Sequence, residues 1–172
     1  MGHTFFTSDT HFAHARIIEY CRRPFQDVEE MNDVLVQNWN KIVQPEDTVY
    51  HLGDFAFGTI GNVTHFRSQL NGNIHLVRGN HDKSLGRLEK IFGVGKVHNE
   101  LSFMGPDDKW LWLTHKPRSQ GAPSFEQPLG WHLHGHVHGE WVRRGNAINV
   151  GVDVWGFQPV SLEELLAAKE SP

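Results

Sequence analysis

Seven side chains able to hold a metal ion occur in short, separated clusters: Asp9 with His11, Asp54, Asn80, His115, and His136 with His138. Two carboxylates and several imidazoles gathered without a cation would repel one another or stay incompletely paired, whereas divalent ions turn the same groups into a stable cluster. Nitrogen and oxygen donors without sulfur suit manganese, iron, zinc, cobalt or nickel. Asp9 and His11 stand two residues apart, as do His136 and His138, so each pair can point the same way from the end of an extended segment. Thirteen histidines in 172 residues make this donor abundant, and imidazole is the commonest protein ligand of metals.

Each cluster taken alone has an ordinary reading. Asp9 and His11 would serve as a helix cap and a surface histidine, and Gly53–Asp54 and Gly79–Asp82 as turns. The alternating His132, His134, His136 and His138 would be one face of a His-rich strand. These readings leave the recurrence at strand ends unexplained. Thr4–Thr7 leads into Asp9 and His11, Thr48–Leu52 into Asp54, and Ile74–Val77 into Asn80 and His81. Trp110–Thr114 leads into His115, and Trp131–Leu133 into His134, His136 and His138. Ligands of open α/β sheets bind beyond the carboxyl ends of strands, so five such ends on one edge would merge into a single site. Helical spacing puts Val28, Met31, Leu35, Trp39 and Ile42 on one face of a helix over Asp27–Val43, begun by Asp27 and Glu30. Weaker patterns predict helices over Ala13–Cys21, Asn62–Leu70 and Ser84–Phe92, and a last one to Lys169 opened by a Ser161–Glu164 capping box.

In chain order the motifs are D-x-H at Asp9–His11, G-D at Gly53–Asp54, G-N-H-D at Gly79–Asp82, an isolated His115 and G-H-x-H at Gly135–His138. Together they resemble the calcineurin-like metallophosphoesterase family over most of the chain. The resemblance implies a four-layer αββα sandwich of two mixed sheets flanked by helices, and two divalent ions, with manganese favoured. Asp9, His11 and His138 would serve one ion, Asn80, His115 and His136 the other, and Asp54 both, with His81 as the catalytic histidine. The chemistry supports such roles independently. Two ions roughly 3.5–4 Å apart lower the pKa of a shared water, giving a metal-bridging hydroxide as nucleophile, and neutralise charge on the phosphate oxygens. His81, beside Asn80, is placed to protonate the leaving alkoxide, and Asp82 to orient its ring. His14 and Arg118 are expected at the substrate, Arg118 because it follows His115 in a loop. The expected activity is hydrolysis of small phosphodiesters, nucleotides among them. A phosphomonoesterase, a nuclease acting on polynucleotide and a metal-bound scaffold are the alternatives.

Length and composition narrow the setting. A chain of 172 residues, 38% hydrophobic and 21% charged, predicts one globular domain over residues 1–172. Cys21 is the sole cysteine, which excludes an internal disulfide and a thiolate zinc cluster. No basic-then-apolar leader and no apolar run near 18 residues is present, so a cytoplasmic protein without membrane contact is predicted. A net charge of −4 without a Lys/Arg run argues against long nucleic acid and for a small phosphorylated substrate. His3, His51, His65, His75 and His98 match no motif and are expected to be hydrogen-bonded or exposed, while His134 is expected behind a ligand histidine. Trp110, Trp112 and Trp131 read as core, Asn149–Gly151 as closing a sheet near the site, and Lys116–Gly130 as a loop beside it.

Overall fold

A computed structural model describes residues 2–105, 108–118 and 130–171. The first half of the chain alternates strand and helix: β1 (Thr4–Thr7), α1 (Ala15–Cys21), α2 (Val28–Ile42), β2 (Thr48–His51), α3 (Ile60–Gln69), β3 (Asn73–Val77), α4 (Leu85–Phe92) and β4 (Val97–His98). The second half is mainly strand: β5 (Leu101–Met104), β6 (Trp110–Leu113), β7 (Gly130–His134), β8 (Arg143–Arg144), β9 (Ala147–Asn149), β10 (Val160–Ser161), then α5 (Leu162–Leu166). The first sheet has the order β10-β1-β2-β3-β4, parallel except for β10. The second runs β5-β6-β7-β9-β8, with β6, β7 and β9 parallel and antiparallel strands at both edges.

Alternation along the strands divides the apolar residues between two cores. Val49, Ile74 and Leu76 face α1–α4, where they meet Ile17, Met31, Leu35, Trp39, Val63, Phe66, Leu88 and Phe92. Phe6, Leu52 and Val77 face the second sheet, packing against Leu111, Leu113, Leu133, Ile148 and Val150 and against Leu165 of α5. The result is two mixed sheets flanked by helices. Among the described residues no helix is long and apolar enough to cross a membrane.

Helix boundaries follow local chemistry. α2 starts where the Asp27 carboxylate accepts the Glu30 N–H (2.8 Å) and buries Met31, Leu35 and Trp39 on one stripe, as the spacing predicts. α1 starts two residues later than expected, because Ala13 sits in left-handed backbone (φ 62°) with its N–H donated to Asn32 Oδ1. α5 carries the expected Ser161–Glu164 capping box but ends at Leu166, short of Lys169. Of the tryptophans, Trp131 packs against the second core as expected, while Trp110 and Trp112 are a correction. Trp110 is 36% exposed, and Trp112 and Trp131 are half-buried. Leu111 and Leu113 take the inner face of β6, so Trp110 and Trp112 fall on its outer face, and a strand apolar on both faces does not reveal which one is covered. Of the Lys116–Gly130 loop, residues 119–129 lie outside the described residues.

Candidate metal centre

Beyond the carboxyl ends of β1 and β2 the two chains continue side by side. Asp9 N–H donates to Gly53 O, His11 N–H to Asp54 O and Phe12 N–H to Phe55 O, all at 2.9–3.0 Å. Along these loops and the one after β7, five expected ligands adopt left-handed backbone: Asp9 (φ 57°), His11 (50°), Asp54 (56°), His136 (73°) and His138 (46°). Such conformations cost roughly 1–2 kcal/mol per non-glycine residue and cluster where function over-determines the backbone. Here the cross-loop hydrogen bonds hold them, and each kink swings a donor side chain toward a common point. The motif glycines permit the approach. A Cβ on Gly135 would overlap Ser8 Oγ and Asp9 Oδ2, and one on Gly79 would overlap the Asp54 carboxylate. Gly135→Ala is therefore expected to push the β7 loop off Asp9 and abolish metal retention with little change in secondary structure. Wild-type metal content in that variant, measured beside its circular dichroism, would refute the packing argument.

The side chains converge on Asp54. Its Oδ2 lies 3.6 Å from His11 Nε2 on one side and 3.4 Å from His115 Nε2 on the other. The first side adds Asp9, whose Oδ1 is 3.8 Å from His11 Nε2, and His138, whose ring lies 5.2 Å from that of His11. The second adds Asn80, with Oδ1 3.0 Å from His115 Nε2, and His136, whose ring is 5.1 Å from that of His115. Donor atoms of Asp9, His11 and His138, and those of Asp9, Asp54 and His115, fall within 4.8 Å of one another, so five of the seven expected residues form two groups joined at Asp9, with Asn80 and His136 beside His115.

Two observations test whether ions fit. Asp9 Oδ1 and His11 Nε2 are buried with no hydrogen-bond partner among the described residues, and leaving such atoms unsatisfied costs about 1–3 kcal/mol each. Their lone pairs face the carboxylates and imidazoles that would share a cation. Titration tells the same story: burial drives the His11 ring down to about 2, keeping it neutral and able to donate a lone pair. At His138 burial acts downward too, but the hydrogen bonds to Asp153 and Cys21 and the Asp9 charge outweigh it and raise the ring to about 10. Asp153 and Cys21, followed by Asp9, thus favour positive charge on the His138 ring.

Behind the donors lie residues that spacing did not reveal. Asp153, in a 3-10 turn at Val152–Val154, sits with Oδ2 2.9 Å from His138 Nδ1. Its carboxylate also accepts Arg23 Nε (2.8 Å) and Nη2 (2.9 Å). Arg23 is buried and further donates to the carbonyls of Asp9 (2.7 Å) and Thr10 (3.0 Å). One guanidinium therefore ties the D-x-H loop to the residue that orients His138. The only sequence hint was the Asn149–Gly151 segment just before Asp153; Asn149 does close that region, donating to His138 O (2.7 Å) and Trp141 O (2.9 Å). Asp82 has a different task from the one expected. Its carboxylate accepts three backbone N–H groups, from Asp54 (2.8 Å), Phe55 (3.0 Å) and Gly79 (2.8 Å), and so clamps the β2 and β3 loops together, in place of a bond to the His81 ring.

The His81 ring is exposed at the mouth, 5.6 Å from that of His11, on backbone anchored by His81 N–H to Asp54 Oδ1 (2.9 Å). His14 lies on the same side, stacked on Phe57 with ring centroids 4.0 Å apart. Arg118 stands across the centre, paired with Glu100, on a cleft wall shared with Asn80 and His115. His134 packs its ring on Trp141 (4.6 Å) with Nδ1 2.8 Å from Gly135 O, steadying the G-H-x-H backbone rather than a ligand ring.

This geometry agrees with the comparisons with known proteins. The model of the calcineurin-like phosphoesterase superfamily domain matches residues 3–159. The chain belongs to that superfamily. Among similar proteins, an uncharacterized protein of Methanocaldococcus jannaschii is 38% identical, the match covering 95% of this chain and 89% of that one. The gene 66 protein of Mycobacterium phage L5 is 29% identical over 96% and 93%. The crystal structure of a protein of unknown function from Aquifex aeolicus superposes with a TM-score of 0.76, at 28% identity, over 97% of this chain and 99% of that one. This phosphoesterase domain therefore spans nearly the whole chain, with candidate metal-ligand groups at the carboxyl edge of its strands.

Proposed function

We propose that the protein is a dinuclear metal-dependent phosphodiesterase acting on small substrates, one domain in which Asp9, His11 and His138 hold one ion, Asn80, His115 and His136 the other, and Asp54 bridges both. The observation that carries this reading is Asp54 Oδ2, set between imidazole nitrogens at 3.6 and 3.4 Å. Bound there, two divalent ions, manganese favoured, would supply a water of lowered pKa and neutralise charge on the phosphoryl oxygens. The protein's own groups do the rest. His81 protonates the leaving oxygen from the mouth, where its exposed ring can reach substrate without competing for the ions. Asp82 keeps the two loops that carry Asp54 and Asn80 in register.

Preference for a diester follows from two open clefts on opposite sides of the centre. One, of about 550 Å³, runs past His11, His14, His81 and His138; the other, of about 370 Å³, runs past Asn80, His115, Lys116 and Arg118. A diester has a substituent for each, whereas a monoester would leave one empty.

Elemental analysis after reconstitution should give two ions per chain, and the loaded protein should cleave small diesters faster than monoesters of the same leaving group. Full activity with a single ion, or activity surviving thorough chelation, would sink the dinuclear reading; faster monoester cleavage would sink the diester preference. Asp153→Ala should weaken metal affinity about 10–100-fold, the usual effect of losing the partner that orients a ligand histidine. A chelator-competition titration reads this directly, and unchanged affinity would leave Asp153 with a packing role only.

A further inference from the structure

Of the three exposed aromatic side chains among the large hydrophobics of the described residues, Tyr20, Phe57 and Trp110, two pack against the ring of His14, and His14 and Tyr20 line the larger cleft. Tyr20 is 63% exposed and Phe57 42%. Grouped around one histidine beside a polar centre, the two partly exposed rings form an apolar patch of the kind that marks a ligand-binding surface.

The geometry of the three rings says what kind. His14 lies nearly parallel to Phe57 (26°, 4.0 Å), while Tyr20 stands almost perpendicular to His14 (83°, 6.3 Å). Together they form a corner, a floor and an upright wall. A planar ring entering it can stack on one surface and meet the other edge-on, the two arrangements aromatic pairs prefer. The corner also lies at the right distance from the chemistry. The His14 ring is 5.5 Å from that of His11, and Phe57 is 6.4 Å from His81. A group held there is separated from the phosphorus by little more than one intervening unit, such as a sugar. An alkyl chain is a poorer match, since His14 and Tyr20 bring polar edges and the aliphatic Ile17 is itself buried.

We infer that this corner is the subsite for a heteroaromatic base, so that one ester arm of the substrate is a nucleoside. The inference rests on the phosphoesterase reading of the centre and narrows its substrate class.

The test uses two ligands that differ only by the base, adenosine 5′-monophosphate and ribose 5-phosphate, titrated against metal-loaded protein. Base stacking on aromatic side chains predicts that the nucleotide binds between about 5- and 150-fold more tightly. Phe57→Leu and Tyr20→Ala should shrink that ratio toward one, while Tyr20→Phe, which keeps the ring, should preserve it. Because each ratio is measured within one protein sample, a partly unfolded variant cannot mimic the loss. Equal binding of the two ligands by the wild-type protein would overturn the inference while leaving the phosphate-binding centre standing. So would a ratio that survives both Phe57→Leu and Tyr20→Ala, which would place the base in the opposite cleft. If neither ligand binds the loaded centre, the phosphoesterase reading falls and the subsite with it.

Discussion

Asp54→Asn is expected to lower turnover by on the order of 10³-fold or more, the largest effect of any single change at the centre. The substitution isolates charge from shape. An asparagine side-chain oxygen can still accept the His81 N–H that Asp54 Oδ1 accepts at 2.9 Å, so the loop stays in place. The amide cannot, however, put a negative oxygen between two cations, the position Oδ2 occupies between His11 and His115. At least one ion should therefore be lost along with the rate. Elemental analysis of the variant beside its kinetics separates the outcomes. Two retained ions with a rate within tenfold of wild type would mean that Asp54 does not bridge.

His81→Ala should show the opposite pattern, with both ions bound and slow turnover. Its ring is exposed and no donor of the two groups depends on it, so its removal leaves the centre intact. General acid catalysis is typically worth about 10²–10⁴-fold, and the loss should grow with the basicity of the leaving group. A nitrophenyl diester, whose leaving oxygen needs no proton, should barely respond, while an alkyl diester should respond fully. Measuring a series of diesters with metal content on the same samples decides the matter. A small, uniform effect would make His81 a positioning group, and loss of an ion would make it a ligand.

What could be read from the sequence was whatever repeats locally. The helix at Val28–Ile42 announced itself through Met31, Leu35 and Trp39 at four-residue intervals, and the strand ends through short apolar runs halted by Asp, Asn or His. Two-residue spacing singled out Asp9 with His11 and His136 with His138, although left-handed backbone rather than an extended segment aims them, while Asp54, Asn80 and His115 stood out through the order of the motifs and the family resemblance it carries. Pairings across the chain were not. Arg23 and Asp153 stand 130 residues apart, and nothing in the neighbourhood of either marks it as half of a buried ion pair. Asp82 was placed in the right motif with the wrong partner, since a carboxylate beside a histidine looks the same whether it faces the ring or folds back onto backbone N–H groups. The outer faces of Trp110 and Trp112 were hidden for a related reason, because the sequence of β6 is apolar at every position.

The pairing of β10 with β1 bears on when the site can exist at all. The last strand lies against the first, with Phe5 opposite Ser161, and the loop after β7 meets Asp9, whose Oδ2 accepts the His136 N–H. Asp9, His11, Asp54 and Asn80 come from the part of the chain made first by the ribosome, and His115, His136 and His138 from the part made later. A nascent chain that has emerged only as far as β4 owns four of the seven candidate donors and lacks the Asp153 anchor. Contacts this distant in sequence form late and cooperatively. On the proposed reading, a complete set of ligands would exist only once His115, His136 and His138 have joined the first half of the chain, so metal capture would follow translation.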